Sequence, residues 1–389
     1  MNQQSDGTLI LHLIDEFRIG GAQTHLVTML REAIGSFPVR HCVLTLFGDG
    51  PTGDRLRELG VDVSVLDLRP LFARRRFLAA AREIEAAIRS LQPDLVEAHL
   101  TWSRLLGLYA AKRAGVPRRI GFEQGDIYLS SWKFRLANRL GQVFANRIVV
   151  CSHALADWNR RVNGIAPGRL SVLHNCVDLT RFHPPARPVD REIYKLPPGC
   201  TLFCAVGTLG RGVNKRVDVC IRALAEARVE GADVALLICG DGDQRVELES
   251  LAVRLGVGSS VRFLGCREDV ETVLAACDAF CHAAPFEPFG IVCVEAMATG
   301  LPVLVPDSGG VREAVRHGET GFVYRSLNVK ELAAAMGLLH ARPDLRQVMG
   351  RAARQDAEMR FSAQRYVTRL YELYGITGIH CFIDRGDRK

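Results

Sequence analysis

Short apolar runs recur along the chain, and between them lie segments whose apolar residues return at helical spacing. "TLILHLIDEF" (8–17) reads as a buried strand, and "AQTHLVTMLREAI" (22–34) carries Leu26, Met29, Leu30 and Ile34 on one helical face. "RHCVLTLF" (40–47) returns to the strand pattern. "DRLRELG" (54–60) is a short helix closed by glycine, and "VDVSVLDL" is a further strand. "DLVEAHL", "RRIGFEQ", "RIVVCS" and "LSVLHN" continue the series. Strands separated by helices predict βαβ units and a parallel sheet.

The proline-rich stretch "RFHPPARPVD" (181–190) interrupts the alternation and marks a linker. The pattern then restarts with "TLFCAVG", a helix over 215–229, "VALLICG", a helix over 243–255, "VRFLG" and "DAFCHAA". A helix over 290–298, the strand "PVLVPD" and helices from 330 onward complete it. The expected architecture is α/β, with two Rossmann-like, doubly wound parallel-sheet domains in tandem. The boundaries read as 1–183, a linker over 184–198, 199–360, and a C-terminal helix and tail over 361–389 that packs back toward the first domain. In such sheets ligands sit at the carboxyl ends of the strands, where loops meet helix N-termini. Two domains facing each other would form a cleft from two such sets of loops.

Composition changes this picture little. A length of 389 residues suits two domains, and 48% hydrophobic with 24% charged residues is ordinary for a soluble protein. No apolar run approaches the roughly 20 residues of a membrane span, and "MNQQSDG" has no leader-like pattern. A cytoplasmic location is expected. The twelve cysteines are scattered, without a Cys-x-x-Cys pair, and most fall inside apolar runs, so they read as buried thiols and neither disulfides nor metal ligands.

Charge is uneven. Residues 1–185 hold 24 Lys and Arg against 17 Asp and Glu, whereas 186–389 balance at 26 and 26, so the whole excess of +7 lies in the first half. It concentrates in "RPLFARRRF", "KRAGVPRR" and "WKFRLANRL". A solvated face is the commonest meaning of such a surplus. No nucleic-acid-binding module accompanies it. The interleaved aromatic and leucine residues keep open peripheral attachment to an anionic membrane, at its inner face.

Candidate chemistry falls at strand ends. "FRIGGAQTH" places Gly20 and Gly21 between the first strand and the first helix, where free N–H groups favour an anion. A tight turn without a ligand is the competing reading. "AVGTLGRGVNKRVDV" repeats the arrangement with Gly207, Thr208, Gly210, Gly212, Arg211, Lys215 and Arg216. Arg and Lys beside a glycine loop suit a phosphate, although Arg216 reads better as a solvated turn residue. In "CGDGDQ" (239–244), Asp241 and Asp243 suit turn and N-cap positions better than a metal pair. "PFEPFGIVCVE" places Glu287 on a loop, since the following proline bars helix there, and Glu295 on the helix behind it. The amides of Phe289, Gly290 and Ile291 lie between them and suit phosphate; the two carboxylates suit neutral hydroxyls of a sugar and a ribose.

These residues carry a resemblance. "EPFGIVCVE" matches an E-x(7)-E element, and the match runs on through "EAMATGLPVLVPDSGGVREAVRHGETGFVY" (295–324). With "GGAQTH" and "CSHALADWNRRVNGIAPGRLSVLHNCVDLTRF" (151–182), the chain resembles the retaining glycosyltransferases of family 4, the group 1 glycosyltransferases of GT-B fold, up to about Tyr374. The resemblance implies transfer of a sugar, with retention, from a nucleotide-diphosphate-sugar (a UDP-sugar ahead of a GDP-sugar) to a carbohydrate or lipid-linked hydroxyl acceptor, as in polysaccharide or glycoconjugate biosynthesis. It implies Glu287 on the donor sugar, Glu295 on the ribose, and Lys215 on the diphosphate, with no metal and no cofactor beyond the nucleotide-sugar co-substrate. The chain departs from the family at Thr208, where arginine is common and Arg211 would substitute, and at Gln124 in "FEQGD", where histidine is common. His99, Gln124, Asp126 and His153 are candidate acceptor or sugar contacts, with a core or turn role as the alternative. A nucleotide-sugar epimerase or phosphorylase, or a non-catalytic sugar-nucleotide-binding protein, are the other readings.

Overall fold

A computed structural model of the chain describes residues 7–18, 20–125, 132–187, 189–197, 199–210 and 215–376. The strand series resolves into two parallel sheets, each in its own compact unit. The first unit comprises the chain up to Val150, Asn163–Leu173, and the segment from Ala363; the second comprises Cys151–Val162 and His174–Ser362.

The first sheet contains β1 (Thr8–Ile14), β2 (Val39–Thr45), β3 (Asp62–Val65), β4 (Leu95–His99), β5 (Arg118–Glu123), β6 (Arg147–Val150) and β7 (Leu170–Val172), in the order β3-β2-β1-β4-β5-β6-β7. The order reverses between β1 and β4, so the ligand-binding crevice of this topology lies at their carboxyl ends. Asp15, just past β1, ties the two strand ends together. Its carboxylate accepts the backbone N–H groups of Trp102 at 3.0 Å and Ser103 at 2.7 Å, and the Ser103 hydroxyl at 2.7 Å. The unit is completed by the helix Ala363–Tyr374, which packs against the helix Gly21–Ala33. Tyr366, Val367, Leu370, Tyr371 and Tyr374 form its buried stripe, the i, i+4, i+8 spacing expected of a helix laid on a core. Gly375 (φ +67°) ends it, with the Ile376 N–H reaching back to the Tyr371 carbonyl, as in a Schellman closure.

The second sheet contains β8 (Thr201–Val206), β9 (Val234–Cys239), β10 (Val261–Gly265), β11 (Ala279–Cys281), β12 (Val303–Pro306) and β13 (Gly321–Tyr324), in the order β10-β9-β8-β11-β12-β13. Its strands are near-continuous apolar runs because both faces are covered: β9 is buried at all six positions and β12 at all four. β13, "GFVY", was not anticipated from the sequence. It is short and begins at a glycine, and only its pairing with β12 makes it a strand.

The stretch expected as a linker is fastened to the second unit. Arg191 forms a two-pronged pair with Asp278 at 2.9 and 3.0 Å, and Arg262 donates to the carbonyls of Tyr194 and Lys195. Residues 151–162, placed with the first domain by sequence, group with the second unit.

Candidate functional site

The order of the second sheet reverses between β8 and β11, and Lys215 and Glu287, singled out by sequence, meet there. Beyond β8 the chain turns at Gly207 (φ +157°), and the Gly207 N–H donates to the Cys239 carbonyl at the end of β9. The approach is close. A Cβ on Gly240 would stand 1.9 Å from the Gly207 carbonyl oxygen. Thr208 is exposed on this loop and Gly210 half-buried. Asp241 is a turn residue, accepting from the Gly242 N–H and from Arg245. Arg211 lies outside the described residues. Lys215 stands two residues ahead of the helix Val217–Val229 rather than on its first turn, while Arg216 is paired with Asp218 at 2.8 and 3.0 Å.

Beyond β11 comes the Glu287 loop. Lys215 Nζ donates to Glu287 Oε2 at 2.5 Å, and His282 Nε2 lies 3.3 Å from the same oxygen. The Glu287 side chain is 14% exposed. Burial favours its neutral form, but the Lys215 charge and His282 outweigh that and hold the carboxyl at about 2. It is therefore a fixed anion at neutral pH. The loop backbone is braced by "DSGG". The Gly310 N–H donates to the Glu287 carbonyl at 2.8 Å, a Cβ on Gly309 (φ +63°) would meet that oxygen at 2.5 Å, and one on Gly310 would meet the Pro288 carbonyl at 1.9 Å.

Gly290 (φ +79°) then opens the helix Ile291–Ala298. Its β-branched residues cost little beside the burial of Cys293, Val294, Ala296, Met297 and Ala298. Among the described residues the N–H groups of Phe289, Gly290 and Ile291 have no hydrogen-bond partner, as expected of a helix start. Glu295 is partly buried on this helix, and its carboxylate has no hydrogen-bond or ion-pair partner among the described residues. Burial pushes it up to about 7, Arg181 opposing and Glu271 adding to the rise.

Phe289 is fixed from the side. His174 stacks on it with centroids 5.3 Å apart and planes at 17°. Glu313 accepts from His174 Nε2 at 2.8 Å and from the backbone N–H groups of His153 and Ala154 at 2.9 and 2.8 Å. Burial raises the Glu313 carboxyl less than these donors lower it. His153 therefore sits next to the Phe289 loop, its ring 5.8 Å from that of His174. His282, His174, Glu313, Gly309 and Gly310 were not assigned roles from sequence. A glycine pair after a strand was the one visible signal.

The first-unit candidates divide. Gly20 caps the helix Gly21–Ala33, its neighbour Ile19 lying outside the described residues. Gln124 is half-buried, its amide 3.2 Å from His25 Nδ1. His99 is 2% exposed and stacked on Phe122, a core position. Asp126 lies outside the described residues.

The second of the two doubly wound parallel sheets thus presents a glycine-loop lysine paired to a loop glutamate ahead of a helix start whose amides have no partner among the described residues. Comparison places the chain: residues 186–356 match the model for glycosyl transferases group 1, and 19–181 that for glycosyltransferase family 4. The chain belongs to the group 1 glycosyltransferases. It is 30% identical over 322 residues to the D-inositol 3-phosphate glycosyltransferase of Rhodococcus erythropolis, covering 77% of this chain and 71% of that one. It is 31% identical over 246 residues to a GDP-mannose-dependent alpha-mannosyltransferase of Mycobacterium tuberculosis, covering 61% of each. The Anabaena Alr3699/HepE structure in complex with UDP-glucose superposes with a TM-score of 0.81 at 25% identity, over 94% of this chain and 99% of that one.

Proposed function

We propose that this glycosyltransferase moves a sugar, with retention, from a nucleotide-diphosphate-sugar to a hydroxyl acceptor. One observation carries the reading: the Lys215–Glu287 pair at the switch point of the second sheet, beside amides and a carboxylate that have no partner among the described residues. Cleaving the sugar–phosphate bond builds negative charge on the diphosphate. Lys215 and the N–H groups of Phe289, Gly290 and Ile291 answer that charge in place, which is electrostatic preorganisation, and Arg211 is assigned the same role. These groups supply the positive charge themselves, so the transfer needs neither metal nor cofactor. Glu287, ionised and oriented, accepts from donor-sugar hydroxyls, and Glu295 accepts from the ribose. A front-face displacement fits this set, with the departing phosphate taking the acceptor proton. A UDP-sugar is favoured because the Anabaena neighbour holds UDP-glucose; a GDP-sugar is the second choice, as the mycobacterial relative is GDP-mannose-dependent.

The test is a thermal-shift screen of UDP-, GDP- and ADP-sugars, followed by turnover with the ligand that raises the melting point. Lys215→Ala is expected to lower turnover about 10²–10³-fold, and Glu295→Ala to lose the nucleotide-dependent shift, both folding normally. Product NMR should show the donor's anomeric configuration, and added Mg²⁺ should leave the rate unchanged. Full activity in both variants overturns the reading; an epimerised nucleotide-sugar formed from donor alone would make it an epimerase, and a sugar phosphate formed from donor and phosphate a phosphorylase.

A lipid-linked acceptor at an anionic membrane is the further part of the proposal. Leu136, Leu140 and Val143 are 50%, 50% and 62% exposed along the helix Trp132–Phe144, and Leu78 beside Arg74–Arg76 is 71% exposed. No helix among the described residues is long and apolar enough to cross a membrane, so attachment would be peripheral. Sedimentation with phosphatidylserine vesicles should show binding that salt removes; no binding at low salt refutes it.

A further inference from the structure

The first unit contains a polar cluster that transfer chemistry does not use. His12 on β1 is in register with Glu97 on β4, and His99 follows Glu97 by two residues on the same face. All three are buried, at 0%, 0% and 2% exposure. Their facing atoms are poorly provided for: His12 Nδ1 and His99 Nε2 reach only Glu97 Oε2, at 3.1 and 3.5 Å and without hydrogen-bond alignment, and His99 Nδ1 has no hydrogen-bond partner among the described residues. Buried polar atoms are normally satisfied, and three such atoms converging on one point ask for something between them.

We propose that His12 Nδ1, Glu97 Oε2 and His99 Nε2 bind a divalent cation of the zinc class. A tetrahedral ion with ligand bonds near 2.0–2.1 Å holds its ligand atoms about 3.3 Å apart. Here Glu97 Oε2 lies 3.1 Å from His12 Nδ1 and 3.5 Å from His99 Nε2, and the three ligand atoms fall within 4.8 Å of one another. Two imidazoles and one carboxylate are a zinc donor set with one position left for water.

Behind two of these ligands, His12 and Glu97, the groups are arranged as metal sites require. With His12 bound through Nδ1, its Nε2 carries the proton and donates to His41 Nδ1 at 3.0 Å. His41 Nε2 then donates to Tyr371 Oη at 2.9 Å. Tyr374 donates to Glu97 Oε1 at 2.9 Å, leaving Oε2 for the ion. Phe122 stacks on His99 and fixes the ring plane. One ion would thereby set the orientation of three strands and the helix Ala363–Tyr374. Because the ligands are buried, it enters as the unit folds, and its role is structural.

The test uses the full chain, produced in zinc-supplemented medium, with any affinity tag removed and metal measured by mass spectrometry. One equivalent of zinc per chain is expected. Glu97→Gln and His99→Phe should lose it, and Tyr374→Phe should weaken it about 10- to 100-fold. Glu313→Gln should retain it; loss in that variant would assign the metal to His153, His174 and Glu313, and overturn the proposal. Zinc-free wild-type protein, or zinc retained in both ligand variants, also overturns it and leaves a buried water as the occupant. Should a variant fail to fold, refolding the unsubstituted chain with zinc or with chelator reads the same site. Equal melting temperatures would refute it.

Discussion

Two glutamates eight residues apart in sequence are held in opposite electrostatic states. Glu287 has a lysine at 2.5 Å and sits at about 2; Glu295 has no partner among the described residues and sits at about 7. The signs of their linkage differ. Glu287 contributes stability that is present above the ordinary carboxyl value and is lost as pH falls through about 2. Glu295 is more protonated when folded than unfolded, so it lowers stability progressively as pH rises from the ordinary value to about 7. Glu295→Gln should therefore melt higher than the parent above pH 7 and equal to it near pH 4, as scanning calorimetry across pH would show. Ribose hydroxyls donating to Glu295 would favour its anion, so nucleotide binding near pH 6.5 should release a proton in the parent and none in Glu295→Gln. Titration calorimetry in buffers of different ionisation heat reads that release. The pair itself was legible, because Pro288 forces Glu287 onto a loop and the helix slot places Glu295. His282 and Glu313 were not, because a buried histidine and a glutamate in a polar stretch show their partners only once distant segments meet.

At the scale of elements, the Glu287 loop keeps its shape through backbone contact more than through side chains. "DSGG" after β12 runs so close to it that glycine is required for lack of space at Gly310 and also for its positive φ at Gly309. Gly310→Ala should displace the Glu287 loop and cut turnover by at least 10²-fold, with far-UV circular dichroism unchanged. Ser308→Ala in the same stretch should cost much less. The helix Ile291–Ala298 was readable against its own β-branched propensity because a strand stood before it and another after it. β13 was missed because four residues carry too little periodicity, and the partner that stabilises them is β12.

At the scale of the molecule, the tandem of α/β units was legible from the alternation alone, whereas their exact composition was not. The sequence divides the chain in order; contacts divide it with returns at Val150/Cys151, Val162/Asn163, Leu173/His174 and Ser362/Ala363. A periodic pattern reports the element and not the neighbour it packs on. Removing residues 363–389 should strip the first unit of a helix that buries three tyrosines, a valine and a leucine. Each large apolar side chain is worth about 1.5–3 kcal/mol, so the truncated chain should show an early-melting first unit and bind a hydrophobic dye, while the second unit melts as before.

The return at Ala363 also bears on how the protein is made. The sheet of the first unit leaves the ribosome by Val172, but the helix that covers its polar cluster waits for about 200 more residues, roughly 10–40 s at ordinary elongation rates. During that interval His12, His41 and Glu97 lie open beside unburied sheet. The second unit, whose strands and helices emerge meanwhile, is free to fold first. Nascent chains stalled near residue 300 should accordingly be the most chaperone-dependent stage of synthesis.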